Sequence, residues 1–172
     1  AITAGLQEFD MYIDRHRVLV MHYKTALLYF GNANFELSID HLHKIINGPV
    51  DIRIDLQCYA RLLHLIAHFE LGNDTIIESL IKSVFRFMSR MENLTPVEEE
   101  MFKFLRNNVY ESAAKLKPEL KKLLQKIKQF EKNRFETRVF SYLDIISWIE
   151  SKVYEKPMSL VVHQKYLQSK HR

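Results

Sequence analysis

The chain is 172 residues long, carries a net charge of +4, and is 47% hydrophobic and 27% charged. Four Gly and four Pro are few for the turns of an all-β fold, and the single cysteine, Cys58, excludes an internal disulfide and fits a reducing cytoplasm. The longest apolar stretches, such as 18–21, fall far short of the roughly eighteen residues that a membrane span needs.

Apolar residues recur at helical spacing from residue 6 to 31 (Phe9, Ile13, Val20, Tyr23, Leu27, Phe30) and predict one long helix. Gly31 to Asn34 is a turn, because Gly and Asn accept the left-handed backbone that ends a helix. A returning helix spans 35–47 and stops at Gly48-Pro49. The next opens near Asp51 and runs to Leu71, and after a turn at 72–74 another continues to about Met91, with Asp74 as its expected cap. Thr95-Pro96-Val97-Glu98 is the clearest helix start: Thr95 takes the cap position, Pro96 the first turn, and Glu98 completes a capping box. That helix should reach Ser112. Three more follow over 118–132, 135–154 and 157–169, making eight helices in four antiparallel pairs.

Charge is divided unevenly along this series. Residues 1–100 hold 9 Lys and Arg against 14 Asp and Glu, a balance of −5; residues 101–172 hold 16 against 7, a balance of +9. The chain opens on Ala1 without a charged leader and apolar core, so no signal peptide is read there. The lack of an initiator Met suggests either processing or a piece of a longer protein; the favoured expectation is the piece, with residues 1–172 one helical repeat domain and targeting information upstream.

Two copies of one pattern lie about forty residues apart, each an apolar helical run, a small-residue turn and a second apolar run. A single helix pair cannot bury its apolar face alone, so such self-similarity predicts stacked helical repeats. The first copy carries Ala26 and Tyr29 on one helix and Phe35, Ser38, Leu42 and Ile45 on the next; the second carries Gly72, Ile81 and Val84. Over roughly residues 20–90 this pattern resembles the tetratricopeptide repeat, and the whole chain is similar to the C-terminal part of uncharacterised bacterial proteins built from divergent repeats of that kind. The resemblance implies an all-α protein wound as a right-handed α-α superhelix, without catalytic activity or cofactor, whose concave face binds a peptide or another protein as a scaffold for protein-protein interaction. The concave positions would be Tyr23, Leu27 and Phe30 on the first pair and Tyr59, Leu62, Ile66 and Phe69 on the second. Such an apolar groove suits a helix, from an upstream segment of the same chain or from another subunit.

Other chemistry is thinly signalled. His64 and His68 share a helix face at the spacing of paired metal ligands, but Leu65 stands where a zinc protease has its glutamate, and no third ligand is evident, so no metal is expected. His41 and His43 fall on different faces. Cys58 lies mid-helix, where a small buried apolar residue is the ordinary outcome. In the helix ending at 132, Leu116, Leu120, Leu123, Leu124, Ile127 and Phe130 form one face, and Lys117, Lys121, Lys128 and Lys132 form a basic stripe beside it. That stripe supports a second reading, a basic helical module that meets nucleic-acid phosphates. Trp148 stands apart, about opposite to the inward positions Val139, Leu143, Ile146 and Ile149 of its helix; it is either covered by Leu160, Val161 and Tyr166 of the last helix or kept for a partner.

Overall fold

The computed structural model describes residues 14–131 and 138–170, and everything structural below refers to these. They form nine helices and no strand: α1 (Arg15–Gly31), α2 (Phe35–Ile46), α3 (Ile54–Glu70), α4 (Asp74–Arg90), α5 (Pro96–Asn108), α6 (Ala113–Phe130), α7 (Arg138–Tyr142), α8 (Ile145–Val153) and α9 (Met158–Lys170). The expected all-α class is what is found.

From α1 to α6 each helix packs on the one before it, as in a stack of hairpins. The small residues explain how closely α1 and α2 approach: Ala26 and Ser38 are fully buried, and the Ser38 hydroxyl donates to the Ala26 carbonyl at 2.9 Å. Gln57, also fully buried, donates from its amide nitrogen to the Ile45 carbonyl at 2.7 Å and so closes the free end of α2. The capping box at α5 forms as expected, with the Glu98 carboxylate accepting from the Thr95 N–H at 2.9 Å. Glu98 is completely buried, and its other oxygen accepts from the Tyr59 hydroxyl at 3.1 Å, so one side chain ties α5 to α3.

Three boundaries depart from expectation. Asn73, rather than Asp74, holds the cap position of α4, and its side chain turns away to meet His68 Nδ1 at 2.8 Å; Asp74 is the first helical residue and is exposed. Helix α6 begins at Ala113, a turn ahead of Pro118, because Ser112 supplies the first acceptor carbonyl for the amides of Lys115 and Leu116 and the proline falls inside the first two turns. The helix expected over 135–154 is broken: Asp144 leaves the helical backbone and its carboxylate accepts from the Ser147 N–H at 2.9 Å, which starts α8 afresh.

That break changes the path of the chain. Helix α6 packs on α8, while the short α7 between them returns to α3. Helices α3 and α8 are therefore the central ones, buried nearly all round, as the predominantly apolar run 56–67, broken only by Gln57, Arg61 and His64, leads one to expect. Residues 1–13 and 132–137 lie outside the description, and with them the expected start of the first helix and Lys132. No helix among the described residues is long and apolar enough to cross a membrane.

Candidate functional site: two clefts that meet at Trp148

The seven residues expected to line a concave groove do not share one open hollow. Tyr23, Phe30, Tyr59, Leu62 and Ile66 are all buried, and Leu27 and Phe69 are half-buried against the same core. The chain itself covers two of them, Tyr23 and Tyr59. Tyr142, at the end of α7, stacks on Tyr59 with ring centroids 4.5 Å apart and meets Tyr23 edge-on at 6.5 Å, while the Tyr23 hydroxyl donates to the Tyr142 carbonyl at 3.1 Å. The Tyr142 hydroxyl in turn donates to Asp55, whose carboxylate Arg53 holds with two bonds of 2.8 and 2.6 Å. Those bonds hold the Asp55 carboxyl far below its usual range, and burial raises the Tyr23 and Tyr59 phenols, so this latch stays Asp⁻ and neutral tyrosine at any ordinary pH.

Open space lies further along, on either side of Trp148. The indole is 2% exposed and donates to Glu70 at the C-terminus of α3 at 2.6 Å; Lys152 pairs with the other oxygen of the same carboxylate. Burial was the better of the two expectations for Trp148, although the covering differs: in α9 only Val161 is buried, and Leu160 and Tyr166 are exposed. Two cavities share this bridge as a wall. The first, about 390 Å³, opens between the α1–α2 turn and the α8–α9 turn and is bounded by Phe30, Phe35 and Met158. The second, about 600 Å³, opens between the end of α3 and the start of α6, over Phe69, Leu116 and Leu120. Of the seven expected groove residues, Phe30 and Phe69 therefore do line open space, one on each side. Sequence reasoning missed Glu70, Lys152 and Met158; the one available signal was that Trp148 had no place on the inward face of its own helix.

The basic stripe is largely engaged. Lys117 pairs with Glu155 at 2.6 Å and Lys128 with Glu150 at 2.7 Å, whereas Lys121 is exposed. A third cavity, about 540 Å³ between α5 and α6, is rimmed by charges that neutralise one another, Lys126 with Glu100 and Lys122 with Glu119.

The histidines join helices. His22 meets His41 across α1 and α2 at 2.9 Å, and His43 meets His64 across α2 and α3 at 3.0 Å, so His41 and His43 do use different faces. His64 also approaches His68 at 3.1 Å. Burial, with His68 and His43 adding to it, pushes the His64 imidazole down to about 3, and burial lowers His41 and His68 as well. Among the described residues no group of three or more His, Cys, Asp or Glu is arranged to hold a metal ion. Cys58 is fully buried, and that burial pushes its thiol up to about 11, so it is not a thiolate near neutrality.

Fold and clefts together define an all-α protein of sequentially packed helices in which two of the surface cavities meet at one tryptophan. No protein-family model, no curated protein and no solved structure matches the chain.

Proposed function

We propose that the chain is a non-enzymatic scaffold of tetratricopeptide-like helix pairs that binds a peptide segment of another protein, in a reducing cytoplasm, along the two clefts that meet at Trp148. On this reading the pairs follow a right-handed superhelical path, and the chain's own α7 occupies the part of the concave face formed by α1 and α3. The observation that carries the proposal is the shared wall: Glu70, Trp148 and Lys152 border both cavities, so a segment crossing the bridge would contact two apolar floors in succession. Extended segments gain affinity from such consecutive pockets, each taking one side chain. The inert Cys58 thiol and the neutral His64 imidazole also fit a binding role better than a catalytic one.

The test is selection of random dodecapeptides on the full chain, followed by measurement of each selected peptide against Leu116→Ser and Met158→Ser. These lie on opposite sides of Trp148, and both variants are first checked by thermal melting. Selected peptides should lose at least tenfold in affinity with one or both variants. Peptides that bind every variant equally would refute the proposal.

A further inference from the structure

The larger cleft carries a sign. At its mouth stand Asp74 and Glu111, with Glu70 in its wall, and Glu78 one turn along α4 from Asp74 accepts from the hydroxyl of Tyr110 at 2.9 Å. Two of these four carboxylates are paired with a cation. Lys152 is engaged by Glu70, and Lys115 reaches Glu111 at 3.2 Å with 73% of its own side chain exposed, a pair too solvated to hold much energy. Asp74 makes no ion pair among the described residues. The helix ends do not reverse this balance, because the cleft meets the C-termini of α3 and α5 and the N-termini of α4 and α6, whose partial charges offset.

We propose that this cleft selects a lysine or arginine side chain, presented by an extended segment of a partner protein. The inference rests on the scaffold reading above and adds the chemistry of the partner. Phe69, Leu116 and Leu120 supply an apolar floor of the kind on which the aliphatic stem of a long basic side chain lies, while Asp74 and Glu111 at the rim receive its charged head. Tyr110, 67% exposed at the same rim, offers a ring face that attracts a cation and gives nothing comparable to a neutral or acidic group. An acidic side chain would meet the same carboxylates and be repelled.

The experiment uses four dodecapeptide libraries that are random except at one central position, fixed as Arg, Lys, Gln or Glu, each selected on the full chain at physiological salt. The Arg and Lys libraries should be enriched at least tenfold over Gln and Glu. The double variant Asp74→Asn, Glu111→Gln should bring the four within about twofold of one another, and Leu116→Ser should weaken all of them. Equal enrichment of the four libraries on the native chain, abolished by Leu116→Ser, would overturn the choice of a basic side chain and leave the scaffold reading standing. Enrichment that no cleft substitution affects would overturn both. Charge preference that survives the double variant, or chains that associate with one another through this face in sedimentation, would also refute the inference.

Discussion

Ala33 and Glu155 hold left-handed backbones at φ 58° and 55°, one at each turn that frames the smaller cleft, and Gly72 does so at φ 65° beside the larger one. A side chain at such an angle costs about 1 kcal/mol, which glycine escapes. Ala33→Gly should therefore raise the unfolding free energy by roughly 0.5–1 kcal/mol, and Gly72→Ala should lower it by about 1 kcal/mol, both read from urea denaturation. The buried histidines make a pH prediction of definite sign. His64 is neutral in the folded chain down to about 3 but takes up a proton near its ordinary value of 6.5 once unfolded, so the stability it supports is complete above 6.5 and declines as pH falls below it. For His64 alone the loss between pH 7 and pH 5 is about 2 kcal/mol, with His41 and His68 acting in the same direction. His64→Leu should flatten this slope; an unchanged slope would mean that another group sets the acid limit. The spacing of His64 and His68 was plain in the sequence, but the approach of His43 from α2 depends on how the two helices are rotated against each other.

At the scale of elements, apolar periodicity and turn chemistry placed most helices within a few residues, because stacking turns that periodicity directly into burial. It failed where a polar side chain competes for the backbone. Asp144 breaks the expected 135–154 helix without disturbing the phase of Val139, Leu143, Ile146 and Ile149, so the apolar pattern carries no trace of it. The consequence is large: the freed α7 swings to α3 and closes over Tyr23 and Tyr59. Tyr142 thereby covers Tyr23 and Tyr59, two of the seven expected groove residues, through contacts some eighty to a hundred and twenty residues away along the sequence. Tyr142→Ala removes the ring stack and the hydroxyl bond to Asp55, and should cost about 3 kcal/mol. Hydrogen exchange should then show α7 opening while α2 to α4 stay protected. Loss of protection throughout would instead mean that the helix pairs do not stand without their latch.

For the whole molecule, the all-α class and the order of packing follow from the repeat pattern, whereas the position of open surface depends on what the chain does with its last third. Helix α7 docks against α3 and covers Tyr23 and Tyr59, and the free volume lies further out, on either side of Trp148. Phe30 and Phe69 stayed legible because they sit at the ends of their helices, beyond the reach of α7. As the single tryptophan of the chain, Trp148 is a built-in reporter of the proposed binding surface. The most direct measurement is its fluorescence during titration with peptides selected on the full chain. A saturable change that Leu116→Ser or Met158→Ser abolishes, with Tyr142→Phe leaving it intact, is the expected result. Peptides that bind without altering Trp148 emission, and whose binding responds to Tyr142→Phe instead, would contradict it.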